Sequence, residues 1–424
     1  MNKIIIDPLT RVEGHGRIEL ILKDGRLDDV RVRMLESPRL FEKIVVGRKY
    51  DEVAELVCRI CAICSAVHKL TSLEALEQAM GIEVPPLAKA IRELLLLGGH
   101  LQSHALHLFC LVLPDFSGAV SIVELLKAGN PLAAAGLELK AFGNHIQELV
   151  GGRVIHPVNP VIGGVMYRPQ SQQLQDLAAN LEVWQRKWPA YAGDFIASAR
   201  FPFARAVRGT PLATGQTDSF SLCGDSLWTG KGRAFPASSY RQILEEQPND
   251  ESYAKSSCGE SGPFIVGALA RARLAAARDC AQISLPTTND IYANNIAQVN
   301  EIGWALEHAR ILTETILNAG DDASLIVESI QPGGGVGTAV KEAPRGLLVH
   351  HYVVDEWGYV AAADVVTPTA INQLTMKQQI LDDLAGGGDE EQMRMVTEQM
   401  RMVTEQIVRA FDPCISCAVH LLEV

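Results

Sequence analysis

Apolar residues follow two different periods along this chain, one typical of strands and one typical of helices. Residues 17–34, RIELILKDGRLDDVRVRM, alternate apolar and charged side chains around Asp24-Gly25, a two-residue turn sequence. This pattern predicts a β-hairpin. Apolar residues recur three and four positions apart in seven later segments, which predict helices at residues 52–80, 86–112, 120–150, 169–200, 265–282, 290–319 and 373–411.

Three other segments modify this helical picture. Residues 201–262 are rich in Gly, Ser, Thr and aromatic side chains, which favours irregular structure and short strands. Residues 347–366, LLVHHYVVDEWGYVAAADVV, predict a second small sheet. A heptad is repeated at residues 394–407, and two copies are too few for a coiled coil, so we expect one lengthened helix. The predicted fold class is α+β, a mainly α bundle of long helices with small peripheral β-sheets.

The chain of 424 residues contains no Ser/Pro-rich linker or long run of charge that would mark a domain boundary. We therefore expect a single domain over residues 1–424. Its predicted parts are a β-rich N-terminal part (1–50), a helical part (51–200), an irregular part (201–262) and a helical part with a small sheet and a C-terminal metal motif (263–424).

Composition excludes several classes of function. A hydrophobic share of 47% provides a large core, and a net charge of -12 argues against nucleic acid or an anionic membrane as a partner. The longest apolar run, residues 92–116, is interrupted by Gly98, Gly99 and three histidines, which indicates a buried helix and no membrane span. No signal peptide is recognisable before MNKIIIDPLT, so we expect a cytoplasmic protein.

Two short phrases concentrate the cysteines. CRICAICSAVH (58–68) and DPCISCAVH (412–420) each contain a Cys-x-x-Cys pair followed by a histidine. The spacing alone leaves open a structural zinc site, an iron-sulfur cluster or other transition-metal centre, and redox dithiols. Arg59 and Asp412 flank the pairs and favour a functional centre, because closed structural zinc sites seldom need such groups. The isolated cysteines are expected to pack in the core, namely Cys58, Cys110, Cys223, Cys258 and Cys280.

The pattern Arg-x-Cys-x-x-Cys-x-x-x-His at 59–68, together with Asp-Pro-Cys-x-x-Cys-x-x-His at 412–420, resembles the large, catalytic subunit of nickel-iron hydrogenases. Further blocks resemble that family in the same order, namely PLTRVEGHGRIE (8–19), SPRLFEKIVVGR (37–48), QSHALH (102–107), GRVIHP (152–157), YAKSS with VGALAR (253–271), EAPRGLLVH (342–350) and VVTPTAIN (365–372). The resemblance covers nearly the whole chain. It implies reversible heterolytic cleavage of H2 to two protons and two electrons.

The resemblance implies a nickel-iron centre whose iron carries carbon monoxide and cyanide ligands. By motif position, Cys61 and Cys414 would be terminal ligands of nickel, and Cys64 and Cys417 would bridge to iron. Soft thiolates suit a redox-active late transition metal. Since arginine is almost always protonated, we expect Cys414 to accept the proton and Arg345 to form an electrostatic and hydrogen-bonding wall over the cyanides.

The resemblance also assigns roles around the centre. Glu13 resembles the carboxylate that relays protons away from the cysteines, and His68 resembles the imidazole that hydrogen-bonds a bridging sulfur. The expected cofactor contacts include Pro344, Arg345, Pro368 and Thr369, with the Thr369 hydroxyl donating to a cyanide. Glu42, the Val365 carbonyl and His420 correspond to ligands of magnesium or a similar hard ion. By contrast, His100, His104 and His107 share one helical face and are expected to pack near the centre.

Partners follow from the same reasoning. The cysteines left over are too few and too scattered to build an iron-sulfur relay, so we expect no iron-sulfur cluster in this chain. Electrons would leave through an iron-sulfur small subunit, followed by further electron-transfer subunits linked to NAD(P), a deazaflavin or a disulfide reductase. Ser103 stands where periplasmic relatives tend to have Asp, which favours the cytoplasmic, bidirectional or cofactor-coupled branch. Ala62 replaces the usual Gly of the first cysteine motif.

Two alternatives remain at the level of the sequence. A regulatory hydrogen sensor would share the metal site, and the short segment LLEV after His420 is its supporting feature. A zinc-stapled structural subunit of a respiratory-complex-like assembly is the other alternative. That relative of the fold has lost the cysteines, so the four intact thiols argue against it.

Overall fold

A computed structural model of the chain describes residues 2–24, 26–37, 40–199, 205–260, 262–280, 282–331, 333–385 and 397–419. Its first element is an antiparallel sheet of three strands in the order β1 (Asn2–Ile6), β2 (Gly16–Lys23) and β3 (Arg26–Met34). Ile18 pairs with Val32 and Leu20 with Val30, and all four side chains are buried. The predicted hairpin is therefore confirmed, because its alternating apolar positions face the core.

Helices dominate the rest of the described chain, which confirms the α+β fold class. A π-helical segment, Leu106–Val112, joins α4 to α5. The α-helices are α1 (Phe41–Val45), α2 (Tyr50–Val57), α3 (Ser65–Ala79), α4 (Pro86–Ala105), α5 (Leu113–Ser117), α6 (Ile122–Lys127), α7 (Pro131–Gly151), α8 (Ser171–Ser198), α9 (Tyr240–Ile243), α10 (Ala268–Ala277), α11 (Ala293–Leu317), α12 (Pro368–Ala385), α13 (Thr397–Ala410) and α14 (Ile415–Ala418).

Three predicted helices are confirmed, three are wrong in extent, and the last runs through residues outside the described ones. The predictions at 86–112, 169–200 and 290–319 match α4 with its π segment, α8 and α11. The predicted helix 52–80 is two helices, because residues 58–64 leave the helix to present the first cysteine pair. The prediction at 120–150 divides before Pro131, where Asn130 caps α7 by accepting a hydrogen bond from Ala133 N at 3.1 Å.

The two remaining predictions fall later in the chain. The segment predicted as a helix at 265–282 begins in a strand, and its helical part is α10 alone. The prediction at 373–411 corresponds to α12 and α13, and residues 386–396 between them lie outside the described residues. The repeated heptad therefore falls partly outside them, with residues 397–407 inside α13.

Three further sheets complete the described fold. The strands are β4 (Pro160–Val161), β5 (Gly164–Val165), β6 (Thr210–Thr214), β7 (Cys223–Gly224), β8 (Ser226–Thr229), β9 (Arg233–Pro236), β10 (Glu245–Gln247), β11 (Ser256–Gly259), β12 (Gly262–Ile265), β13 (Gly335–Ala343), β14 (Gly346–Val354) and β15 (Val360–Val366). They form a two-stranded sheet β4-β5, a six-stranded sheet in the order β10-β11-β12-β6-β8-β9, and a four-stranded sheet in the order β15-β14-β13-β7. The four-stranded sheet confirms the small sheet predicted at 347–366, and the six-stranded sheet contains most of the short strands expected within 201–262.

Two close approaches fix the elements that carry the site. A Cβ atom on Gly337 of β13 would lie 1.8 Å from the Ala75 carbonyl oxygen of α3, so α3 packs directly on the four-stranded sheet. A Cβ atom on Gly143 of α7 would lie 2.5 Å from Gln102 N of α4. Glycine is needed at both positions because any side chain would push the two elements apart.

The continuous helical stretch Pro86–Ser117 is long and apolar enough to cross a membrane, but 89% of its most apolar 18 residues are buried inside the protein. This agrees with the buried helix predicted for residues 92–116. The described residues bury two large hydrophobic clusters, one around α3, α4, α7, α8 and α11 and one around the N-terminal sheet, α12 and α13. The single-domain organisation stays a prediction.

Candidate metal centre

Four cysteine side chains meet inside the protein. The Sγ atoms of Cys61, Cys64, Cys414 and Cys417 all lie within 4.8 Å of one another. Cys417 Sγ is 2.9 Å from both Cys64 Sγ and Cys414 Sγ, and Cys61 Sγ is 3.3 Å from Cys414 Sγ. Each residue is at most 5% exposed, and none of the four cysteines forms a disulfide. The two sequence phrases therefore converge on one point, as a single four-sulfur centre requires.

The first pair is placed by the break between α2 and α3. Cys61 lies in the non-helical segment, and Cys64 is the residue that caps the N-terminus of α3. His68 N donates to the Cys64 carbonyl at 3.1 Å, which starts the helix directly behind the ligand. A thiol at the end of a buried helix is held more rigidly than one on a free loop, so the helix fixes this half of the centre.

The second pair is placed by the N-terminal segment of the chain. Asp412 adopts a φ of 50°, which turns the backbone sharply after α13. Glu13 then forms a parallel bridge with Cys414, and Ile415 N donates to the Glu13 carbonyl at 3.1 Å. Residues near the two ends of the chain therefore hold the second half of the centre together.

The environment of the thiols suits a cation. Burial raises the pKa of Cys414 and of Cys417 well above the ordinary value, because a buried thiolate loses its hydration. Hydrogen bonding by Cys414 lowers the pKa of Cys61, so this thiolate forms first. The remaining protons leave when a metal ion neutralises the charge. Four sulfur donors fit a soft or late transition metal.

Arg345 places a buried positive charge beside the thiols. Its Nη1 donates to Ser103 Oγ at 3.0 Å, and its Nη2 lies 3.1 Å from Asp412 Oδ1 without hydrogen-bond alignment. Although burial lowers the pKa of Arg345, the charges of Asp412 and Cys414 raise it above the ordinary value. Within the described part of the chain, its Nε has no hydrogen-bond partner. A buried N–H without an acceptor fits a bound group that accepts hydrogen bonds.

Glu13 lies at the edge of the cluster, half-buried. Its Oε2 accepts a hydrogen bond from Ser416 N at 3.1 Å, in the peptide between the second pair of cysteines. The residue predicted to relay protons is therefore in contact with the backbone that carries two of the thiols.

The residues predicted to bind a hard ion come together in part. Glu42 is buried, and its Oε1 accepts a hydrogen bond from Val365 N at 2.8 Å. His420 lies outside the described residues. His68, predicted to support a bridging sulfur, has its Nδ1 3.1 Å from His350 Nε2, and His350 pairs with Val365 across the sheet. Both predicted roles stay predictions.

The predicted cofactor contacts on α12 and in the EAPRG segment also lie at the cluster. Pro368 begins α12, and Thr369 Oγ1 accepts a hydrogen bond from Cys414 N at 2.8 Å. Its hydroxyl proton is left to donate elsewhere. Pro344 lines a cavity of about 10 Å³ together with Cys64 and His100.

The three histidines pack near the centre as predicted. His104 Nε2 lies 2.8 Å from Glu301 Oε2, and His107 Nδ1 lies 2.6 Å from Gln298 Oε1. His100 Nδ1 donates to the Leu96 carbonyl at 3.0 Å. Burial lowers the pKa of His100 to about 3, so this imidazole is neutral.

Some of the surrounding groups were missed by the sequence analysis or placed differently. Thr367 is completely buried, and its hydroxyl has no hydrogen-bond partner among the residues with described positions. Arg271 lies at the centre of a buried ionic network with Glu301 and Glu342. A lone Arg inside a predicted helix carries no signal of that kind. Arg59, predicted to support the ligands, is exposed and donates to the Glu55 carbonyl.

Comparison with known proteins adds independent information. The nickel-dependent hydrogenase family matches residues 39–138 and 267–420, and the HoxL-like family matches residues 3–36. The chain is 38% identical over 432 residues to the alpha chain of sulfhydrogenase 2 of Pyrococcus furiosus, covering 99% of each chain. It is 30% identical to a chain of an F420-non-reducing hydrogenase of Methanocaldococcus jannaschii, over 90% of this chain and 98% of that one.

Solved structures resemble the fold over its whole length. An NAD+-reducing [NiFe]-hydrogenase crystallised in the H2-reduced state superposes with a TM-score of 0.86 at 26% identity, covering 99% of this chain and 100% of the other. A Ni-Fe-Se hydrogenase from D. vulgaris Hildenborough superposes with a TM-score of 0.77 at 24% identity over the same shares, which supports the fold alone.

Proposed function

Because the chain belongs to the nickel-dependent hydrogenase family, we propose that its four buried thiols hold the nickel-iron centre of a hydrogenase catalytic subunit. Such a subunit cleaves H2 to two protons and two electrons. The observation that carries the proposal is the convergence of Cys61, Cys64, Cys414 and Cys417 within 4.8 Å. Thiol geometry alone suits zinc as well, and family membership is what favours nickel and iron.

The roles of the four thiols follow their positions in the two motifs. Cys61 and Cys414 would be the terminal ligands of nickel, and Cys64 and Cys417 would be shared with an iron that carries carbon monoxide and cyanide. When bound, this centre supplies the heterolytic splitting of H2. Cys414 would accept the proton, since the arginine beside the centre is already protonated.

Arg345, Thr369 and Pro344 surround the centre from the protein side. Within the described chain, the N–H of Arg345 Nε has no hydrogen-bond acceptor, which supports its donation to a cyanide nitrogen. Thr369 accepts from Cys414 N and keeps its own hydroxyl proton for a second cyanide. Pro344, Pro368 and His68 complete the contacts, with His68 orienting a bridging sulfur.

Glu13 carries the proton away from the cysteines. Its carboxylate contacts Ser416 N between the two ligands of the second pair, and its half-buried position gives it access to both the cluster and the outside. Glu42, the Val365 carbonyl and His420 hold a magnesium ion or similar hard cation, for which the contact of Glu42 with Val365 N is the supporting observation.

Electrons leave to an iron-sulfur small subunit. Relatives of this chain are named as single subunits of hydrogenases, which supports a heteromeric assembly. One relative of Cupriavidus necator is named as a subunit of an NAD-reducing hydrogenase, and others as subunits of F420-non-reducing hydrogenases. We place this chain in the cytoplasmic, cofactor-coupled branch, with further electron-transfer subunits beyond the small one.

Substitution of single cysteines tests the assignment of the ligands. In Cys64→Ser and Cys417→Ser variants, purified anaerobically with their partner subunits, we expect nickel per chain to fall to background and the infrared bands of iron-bound carbon monoxide and cyanide to disappear, because a serine oxygen is a poor ligand for a soft metal. Metal analysis with infrared spectroscopy of bound carbon monoxide and cyanide measures the loss.

The matched control is Cys280→Ser. Cys280 is a buried free cysteine outside the cluster, so its nickel, iron and infrared bands should equal those of the natural protein. Full nickel and unchanged infrared bands in the Cys417→Ser variant would show that Cys417 is not a ligand.

A further inference from the structure

We propose that Arg271 is a positioning residue for Arg345. It donates hydrogen bonds to the two backbone carbonyls that precede Arg345 and so sets where the Arg345 guanidinium lies relative to the centre. The inference rests on the role proposed above for Arg345. It adds a residue of α10 that lies outside the cysteine motifs and makes its contribution through the backbone of the EAPRG segment.

All five N–H groups of the Arg271 guanidinium have acceptors. Nε and Nη2 donate to the two carboxylate oxygens of Glu301, each at 2.6 Å, and Nη1 donates to Glu342 Oε2 at 2.7 Å. The two remaining N–H groups donate to backbone, from Nη1 to the Ala343 carbonyl and from Nη2 to the Pro344 carbonyl, both at 3.1 Å. Arginine can fill such a set because its donors are planar and fixed relative to one another.

The two carbonyls are the last ones before Arg345. The Pro344 carbonyl belongs to the peptide bond that leads into Arg345, so a shift of this group moves the Arg345 Cα and everything attached to it. The position of that Cα decides whether the guanidinium can make its two contacts, from Nη1 to Ser103 Oγ at 3.0 Å and from Nη2 to Asp412 Oδ1 at 3.1 Å. The hydrogen bonds from Arg271 to these two carbonyls therefore determine the position of the Arg345 guanidinium.

Close backbone packing holds the other side of the same segment. Gly346, with a φ of 130°, follows Arg345, and a Cβ there would lie 2.6 Å from Gly267 N at the start of α10. A Cβ on Gly267 would in turn lie 3.2 Å from the Arg345 carbonyl oxygen. The N-terminus of α10 thus contacts the segment after Arg345, while Arg271 one turn later holds the segment before it.

The ionic partners keep Arg271 in place. The Arg271 side chain is 1% exposed, and those of Glu301 and Glu342 are 3% and 0% exposed. Glu301 also lies 2.8 Å from His104 Nε2, and Glu342 Oε1 accepts from Thr214 N at 2.7 Å. A buried charge with every hydrogen bond satisfied is rigid, because any displacement leaves an unpaired charge in a medium of low polarity.

The test is an Arg271→Lys substitution in the assembled hydrogenase. Lysine keeps the charge and loses the planar fork, so it cannot hold Glu301 and both carbonyls together. We expect kcat for H2 oxidation to fall roughly 10-fold to 100-fold, the cost of misplacing a group by about 1 Å. Nickel and iron per chain should stay at the natural level, and the infrared bands of cyanide should shift.

A double substitution separates positioning from a general loss of structure. If Arg271 acts through Arg345, Arg271→Lys should change kcat less than about twofold in an Arg345→Lys background, since coupled effects are not additive. If the decrease in kcat of the double variant equals the product of the two single decreases, the inference is overturned. Unchanged kcat and unchanged cyanide bands in Arg271→Lys alone would also overturn it. If Arg345→Lys itself leaves kcat and the cyanide bands unchanged, the role proposed for Arg345 fails first.

Two further variants guard against misfolding. Glu342→Gln keeps the shape of its side chain and removes the negative charge facing Nη1, so it should shift the cyanide bands in the same direction as Arg271→Lys by a smaller amount. Arg92→Lys is the matched control. Arg92 also grips a carboxylate, that of Glu77, and two backbone carbonyls, but on β4 and β5. Equal band shifts in Arg92→Lys would attribute the effect to lost packing and overturn the inference.

Discussion

Glu13 illustrates how a single residue connects the buried centre with its surroundings. Its carbonyl and its carboxylate both accept hydrogen bonds from the short segment Ile415–Ser416, and its side chain is half-buried. A carboxylate in that position can receive a proton from a sulfur and pass it outward. An amide of the same shape would keep both backbone contacts and lose the proton.

We therefore predict that Glu13→Gln lowers the rate of isotope exchange between H2 and deuterated solvent by roughly 100-fold, the usual contribution of a positioned proton carrier. The infrared bands of the centre should stay nearly unchanged, since no ligand is altered. Gas-phase mass spectrometry of HD and D2 measures the exchange.

Glu36→Gln is the control for this prediction. Glu36 also accepts a backbone hydrogen bond from the same loop, from His15 N at 3.1 Å, and it lies outside the contacts made by the segment that carries the cysteines. Exchange at the natural rate in Glu13→Gln would remove Glu13 from the proton path.

The residues of the site differ in how far their role could be predicted from the sequence. Cys61, Cys64, Cys414 and Cys417 were predictable because paired cysteines at fixed spacing have few other uses. Arg271 and Thr367 were not, since their importance lies in which buried atoms they face, and that depends on contacts with residues far away in the chain. A family block such as VGALAR pointed to the right segment without indicating which atoms Arg271 holds.

Among the elements, the α4–α7 pair supports one wall of the centre. The contact of the two helices depends on glycine, because a Cβ on Gly143 would overlap Gln102 N at 2.5 Å and the Gly98 carbonyl oxygen at 2.8 Å. The backbone atoms there cannot move without bending α4, which also carries Ser103 and His104.

We predict that Gly143→Ala destabilises the protein by about 1–3 kcal/mol, the range for overpacking a close contact. The change should appear as a lower thermal unfolding temperature in calorimetry. Gly193→Ala in α8 is the control, because nothing lies within 4 Å of the added Cβ and alanine favours the helix by roughly 0.5–1 kcal/mol. A Gly143→Ala protein as stable as the natural one would mean that the two helices are not held this closely.

The period of apolar residues predicted the long helices and the N-terminal hairpin, and it failed where those helices are interrupted. The helix predicted at 52–80 breaks at 58–64, where the two thiols of the first pair turn toward the two thiols near the far end of the chain. The local period of apolar residues contains no information about such a long-range contact. The break before Pro131 does have a local signal in Asn130-Pro131, a strong helix start that the apolar period alone overlooks. Strands β6 to β9 are short and carry too few residues for a clear alternation.

At the scale of the molecule, the centre joins sequences that are 353 residues apart. The N-terminal segment takes part in the closure, since Thr10 donates to Glu405 Oε1 at 2.8 Å and Arg409 donates to the Thr10 carbonyl at 3.1 Å. Arg409 also pairs with both oxygens of Asp115, each at 2.8 Å. A metal bound to all four thiols would therefore stabilise contacts between three distant parts of the chain.

The metal content of the active protein tests the central claim most directly. Nickel, iron and zinc are measured per chain in anaerobically purified protein whose H2-oxidising activity is determined on the same sample. We predict one nickel per chain, one iron per chain beyond the iron of the small subunit's clusters, zinc at background, and activity that rises in proportion to nickel across preparations of different loading. Stoichiometric zinc with no nickel in protein that still oxidises H2 would contradict the account.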